Sequence, residues 1–167
     1  MAQAPNDTPG QASIDGSLVA TQIERLAELN RHWSCVLSNA SALIMDTMAD
    51  LNWAGFYLMR GGQLVLGPFQ GKVSCVNIQM GKGVCGTAAK LDQTQVVADV
   101  HAFPGHIACD SASRSEVVVP LRCDGRVVGV LDIDSPLPGR FSDADARELE
   151  LVAAAIERSS DFSDLAS

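Results

Sequence analysis

Residues 115–135 read SEVVVPLRCDGRVVGVLDIDS, two apolar runs on either side of a Cys-Asp-Gly break. β-Branched residues fill both runs and Asp-Gly supplies the turn chemistry, so the stretch is predicted as an antiparallel hairpin. Alternation along the second run puts Val127, Gly129, Leu131 and Ile133 on one face, with Val128, Val130, Asp132 and Asp134 on the other. Glu116, Val118 and Pro120 share a face of the first run. The turn decides whether Glu116 joins the two aspartates. A two-residue Asp124-Gly125 turn would set it opposite Ile133, among apolar neighbours. A three-residue Cys123-Asp124-Gly125 loop, with Gly125 left-handed, sets it opposite Asp132. The second register keeps a carboxylate off the apolar face and is the one expected. Three acidic groups then converge, and like-charge crowding raises a carboxyl pKa, so one member can hold a proton and donate it in a hydrogen bond. The alternative is a solvated outer face that keeps a sheet edge soluble.

Outward from this hairpin, helical spacing of Leu18, Val19, Ile23, Leu26 and Leu29 predicts a helix over 17–29. Trp33, Val36, Leu37, Ala40, Leu43, Ile44 and Met48 predict another over 33–48. NWAGFYLMRGGQLVLGPF, residues 52–69, reads as a hairpin about Gly61-Gly62, and GKVSCVNIQM, 71–80, as a third strand. GKGVCGTAAKLD, 81–92, has loop glycines feeding a short helix, and QTQVVADV, 93–100, contains a short strand. A helix over about 142–159 opens at Ser142, with Asp145 three residues on as a capping box. Helices bracketing short-turned strands predict an α+β fold with a largely antiparallel sheet and helices on one face. Residues 1–16 are expected to be a flexible leader, 17–160 one domain and 161–167 a tail.

The chain has 167 residues, 47% hydrophobic and 19% charged, which suits one well-cored domain. Its net charge of −8 argues against nucleic acid as a partner. No apolar run approaches the roughly 18 residues of a membrane span, and the first 16 residues carry no secretory pattern. The odd number of cysteines, five, points to a reducing, cytoplasmic setting rather than a disulfide scaffold.

Those cysteines differ in setting. Cys109 lies in HAFPGHIACDSASRSE, residues 101–116, a long polar loop with a Pro-Gly break. Cys75 shares its strand side with Asn77 and Gln79, which suits a pocket. Cys85 is predicted at a helix start, where the dipole lowers a thiol pKa. Cys35 reads as a helix-core thiol and Cys123 as a turn residue. Zinc on His101, His106 and Cys109 competes as an explanation, but no C-x-x-C or H-x-x-x-H spacing is present, so no metal is expected and loop hydrogen bonding is the preferred role of both histidines.

LNWAGFYL, GPFQGKVSC, GKGVCGTA, DVHAFPGHIACDSASRSEVVVPL and GVLDIDS together resemble the free methionine-(R)-sulfoxide reductases, enzymes built on a single GAF domain. The resemblance spans about residues 30–155 and includes Cys75, Cys85 and Cys109. It implies a GAF fold, reduction of free L-methionine (R)-sulfoxide, and thioredoxin as the reductant, with no organic cofactor. By motif, Cys109 is the nucleophile, Cys75 the main resolving thiol and Cys85 a further redox cysteine, the order of the latter two left open. Glu116, Asp132 and Asp134 match the substrate-binding carboxylates, and Trp53 the aromatic near the substrate methyl. In GAF folds a homodimer contact through Trp33 and the first helix is compatible with this pattern. A GAF module that binds a small ligand or senses redox state without turnover is the alternative function.

Overall fold

A computed structural model describes residues 12–166. In chain order its elements are α1 (Gly16–Ala27), α2 (Trp33–Thr47), β1 (Trp53–Arg60), β2 (Gln63–Gly71), β3 (Asn77–Gln79), α3 (Gly83–Leu91), β4 (Gln95–Val97), β5 (Ser115–Cys123), β6 (Arg126–Ser135) and α4 (Asp143–Ser159). The six strands form one sheet in the order β3-β2-β1-β6-β5-β4, every pairing antiparallel. The fold is α+β, as predicted.

The apolar stripes of α1, α2 and α4 all land on one side of the sheet. There Leu37 and Ile44 of α2 and Leu149, Val152 and Ile156 of α4 pack with Phe56, Val117, Leu121, Leu131 and Ile133, all fully buried. Burying each such side chain contributes about 1.5–3 kcal/mol. α3 does not join them. It lies on the opposite side, where Val84, Cys85 and Ala88 pack against Trp53, Tyr57, Val118 and Val130. Gly86 permits this approach, because a Cβ there would strike the Gln79 carbonyl.

The turn of the β5–β6 hairpin corrects the expected register. Asp124 and Gly125 have φ of 51° and 73°, a two-residue left-handed turn, and Cys123 pairs with Arg126. The register then shifts between Arg122, opposite Val127, and Leu121, opposite Gly129, so β6 carries one extra residue. Beyond this bulge Glu116 faces Asp134 and Val118 faces Asp132. The bulge also exchanges two assignments: Val127 packs on the α3 side and Val128 on the side of α2 and α4. A bulge and a longer loop restore the same parity, so the three acids still share one face.

The strand predicted over 71–80 is mostly irregular, since β2 runs on to Gly71 and only Asn77–Gln79 pair with it. Cys75 therefore sits in a loop. Cys35 is exposed rather than in the core, because the buried stripe of α2 runs through Val36, Leu37, Ala40 and Ile44. The domain is also wider than its sequence pattern. Ser13 donates to Asp145 from its amide and hydroxyl (2.7 and 2.6 Å), and Ile14, Phe162 and Leu165 are buried. Residues 1–11 of the expected leader lie outside the described residues. Among the described residues no helix is long and apolar enough to cross a membrane.

Candidate active site

The central strands bring the acidic residues together beneath α3. Glu116 is 7% and Asp132 6% exposed, Asp134 is half-buried, and among the described residues no lysine or arginine forms a salt bridge with any of them. Burial, followed by the charge of Asp132, pushes the Glu116 and Asp134 carboxyls well above the usual range. Burial likewise moves Asp132 up to about 6. The three carboxyls face one another, so they titrate together and each is shifted toward its protonated form.

Cys85, in the first turn of α3, presents Sγ 3.8 Å from Glu116 Oε1. Its thiol pKa is raised, not lowered as its place at a helix start predicted. Loss of solvent is the largest cause, and the charges of Asp132 and Glu116 follow; together they outweigh the favourable end of the helix dipole. Cys85 Sγ and one oxygen each of Glu116 and Asp132 lie within 4.8 Å of one another, a ligand set that a divalent cation accepts. The zinc set weighed from sequence does not assemble in this form: Cys109 is in a disulfide, and the rings of His101 and His106 stand edge to face at 6.0 Å.

The structure joins Cys109 to Cys75, with Cα atoms 5.2 Å apart, so the long polar loop closes over the acidic face and meets the 72–76 loop. Beneath the bridge remains a cavity of about 30 Å³, lined by Cys85, Cys109, Glu116, Asp132 and Asp134 together with Tyr57, Lys82, His106, Asp110 and Ser113. That is space for water, not for an amino acid.

Trp53 is 1% exposed and does not line this cavity. Its ring stacks between Tyr57 (5.8 Å) and Phe69 (5.2 Å), and its indole nitrogen donates to the Lys72 carbonyl at 3.1 Å. Tyr57 is the aromatic that reaches the cavity. Its hydroxyl donates to the Cys75 carbonyl (3.2 Å) and bonds Ser74 Oγ (2.8 Å), so the Trp53–Tyr57 stack braces the loop carrying Cys75. Strand alternation from Trp53 marked Tyr57 as facing the same way, a signal present in the sequence. His106 lines the cavity with Nδ1 buried and unbonded, and burial followed by the nearby His101 lowers its pKa. The sequence offered His106 as a loop hydrogen-bonding or zinc residue, and its Nδ1 makes no such bond here; the place of His106 and Lys82 at the cavity was not legible, because both sit on loops without a period.

A GAF-domain model matches residues 37–158. The free methionine-R-sulfoxide reductase of Escherichia coli (strain K12) is 49% identical over 145 residues, covering 81% of this chain and 88% of that protein. That of Saccharomyces cerevisiae is 48% identical over 147 residues, covering 83% and 82%. This chain belongs to the free methionine-R-sulfoxide reductases, within the GAF-domain family. Among solved structures, the free methionine-R-sulfoxide reductase from Neisseria meningitidis in complex with its substrate superposes with a TM-score of 0.84 at 42% identity, covering 94% of this reductase and 96% of that chain. The family read from the quoted motifs and the fold it implies are both borne out.

Proposed function

We propose that the chain reduces free L-methionine (R)-sulfoxide to methionine, with Cys109 as nucleophile, Cys75 as resolving thiol and Glu116, Asp132 and Asp134 as the groups that hold the substrate. The observation that carries this reading is a disulfide, Cys75–Cys109, lying over a cavity lined by Glu116, Asp132 and Asp134. A sulfoxide sulfur is a poor electrophile until its oxygen is protonated or strongly hydrogen-bonded. A cluster of carboxyls shifted toward the protonated form provides that donor. The Cys109 thiolate attacks the sulfur, the oxygen passes to Cys109 as a sulfenic acid, and methionine leaves. The Cys75 thiol then attacks the sulfenic sulfur, forming the disulfide and releasing water. A dithiol reductant, thioredoxin, restores both thiols by exchange and is itself oxidised.

Free rather than peptide-bound methionine sulfoxide suits the electrostatics. An ionised member of the cluster pairs with the α-ammonium group, and Lys82, which also lines the cavity, is the complement of the α-carboxylate. When the loop opens, Trp53 is the aromatic wall for the S-methyl group, a contact worth about 0.3–1.5 kcal/mol. Cys85 serves as a proton-bearing partner of Glu116 and a reserve thiol. Its burial and raised pKa favour Cys75 as the first to resolve. A reducing cytoplasm matches this thiol chemistry. The exposed Leu18, Leu26 and Leu29 of the first helical region are where we place a homodimer contact.

The test is a steady-state assay with the separate epimers of free methionine sulfoxide and thioredoxin. Turnover of the R epimer, little with the S epimer, and its loss in Cys109→Ser are expected. A Cys109→Ser variant at the wild-type rate would overturn the assignment of the nucleophile.

A further inference from the structure

Asn52 stands at the mouth of β1, outside every role above. Its backbone amide donates to the Asp134 carbonyl at 3.0 Å, which fixes it beside an acid of the cluster. Its side-chain Nδ2 reaches the other way and donates both to Asp110 Oδ2 and to Ser113 Oγ, each at 3.0 Å. Chemistry fixes the amide's orientation, since turning it over would set its oxygen against the Asp110 carboxylate. The cost is visible in Asn52 Oδ1, which is buried without a hydrogen bond.

The residues Asn52 holds form a tight unit of their own. Asp110 Oδ1 accepts the Ala112 amide (2.9 Å), and the Ser113 amide donates to the Asp110 carbonyl (3.2 Å). The next amide, of Arg114, donates to the Ser135 carbonyl at the end of β6 (2.8 Å). The nucleophile is the residue immediately before this unit. Cys109 must meet a substrate on the acidic face and then Cys75 in another loop, so its chain has to move on one side and stay put on the other.

We propose that Asn52 is a positioning residue: its amide pins Asp110 and Ser113 to the end of β6 and fixes the pivot on which Cys109 swings between substrate and Cys75. A single side chain thereby references the sulfur to the same strand that carries Asp132 and Asp134. A misplacement of about 1 Å at a reacting atom costs on the order of a hundredfold in rate, whereas substrate affinity, set by the acids themselves, is left nearly unchanged. The inference rests on Cys109 being the nucleophile.

The experiment compares wild type with Asn52→Ala, Asp110→Asn and the exchange pair Asn52→Asp/Asp110→Asn. Two readouts are taken: kcat and KM with the R epimer, and the rate at which hydrogen peroxide closes the Cys75–Cys109 bridge in the reduced protein, followed by thiol mass spectrometry. The exchange pair keeps the bonds that position 52 makes to positions 110 and 113, with donor and acceptor reversed. A carboxylate at position 52 accepts from an amide at position 110 and from the Ser113 hydroxyl, while the oxygen of that amide still accepts the Ala112 N–H. Asn52→Ala is expected to lower kcat at least tenfold with KM within about threefold, and to slow bridge closure by a similar factor. The exchange pair is expected to recover at least threefold over both single variants, the coupling that a double-mutant cycle isolates. An Asn52→Ala protein with wild-type kcat and closure rate overturns the proposal, as does an exchange pair no better than the poorer single variant. If Asn52→Ala fails to fold, Asp110→Asn and the exchange pair decide the matter alone. Absence of turnover in wild type would count against the reductase reading, while the peroxide arm still tests the pivot.

Discussion

Asp132 shows what the site costs at the scale of one residue. Its carboxyl titrates at about 6 in the fold, because burial strips its water, against an ordinary value near 3.8 in the unfolded chain. The native state therefore holds this proton more tightly. The stability it contributes is fully present below the ordinary value and is lost as pH rises through about 6. Asp132→Asn is expected to melt higher than wild type at about pH 8, by about 2–4 °C for each kcal/mol relieved, with the gain vanishing below about pH 4. Turnover should fall at the same time. Glu116→Gln and Asp134→Asn are each expected to lose at least tenfold, about 1.4 kcal/mol of barrier, in the same assay. Melting curves that coincide at both pH values, with normal rates, would place these acids in water.

At the scale of elements, the start of α4 gathers more bonds than a cap needs. Ser142 and Asp145 form the reciprocal box foreseen in the sequence, and Asp145 additionally accepts both donors of Ser13 from the far end of the chain. Burial alone would raise its carboxyl, but the hydrogen bonds from Ser13 and Ser142 outweigh it and hold the pKa low. Asp145→Ala is expected to cost about 2 kcal/mol or more in urea unfolding at neutral pH. Because a depressed carboxyl stabilises only above its unfolded pKa, that difference should close as pH falls below about 4. The capping box, α1, α2 and the hairpins were legible because periodicity and local turn chemistry specify them. The β6 bulge was not: parity demanded that Glu116 avoid the apolar face, and either an extra loop residue or a bulge satisfies parity. Residues 72–76 imitate a strand by alternating polar and apolar types, yet pair with nothing over most of their length. Cys85 was placed correctly at a helix start and misjudged electrostatically, since only tertiary structure reveals that its helix is laid over three acids. The same gap hid Asn52, whose partners lie 58 and 61 residues away.

For the molecule as a whole, the sheet divides labour between its two faces. One face, covered by α1, α2 and α4, carries most of the apolar packing. The other, covered only by α3 and loops, keeps the three acids with Cys75, Cys85 and Cys109. Truncating the packed face, as in Leu149→Ala, is expected to cost about 2–5 kcal/mol in urea unfolding while leaving KM for methionine sulfoxide within about twofold. A large change in KM with little loss of stability would show the faces to be coupled. Closure of the bridge has a further consequence. Space for a water molecule is all that remains under the Cys75–Cys109 bond. Without an external dithiol, each chain should release a single equivalent of methionine and stop, countable by rapid quench. The bridged form must regain two electrons before Cys109 can attack again, so each further turnover waits on that dithiol. The electron donor alone then sets the tempo.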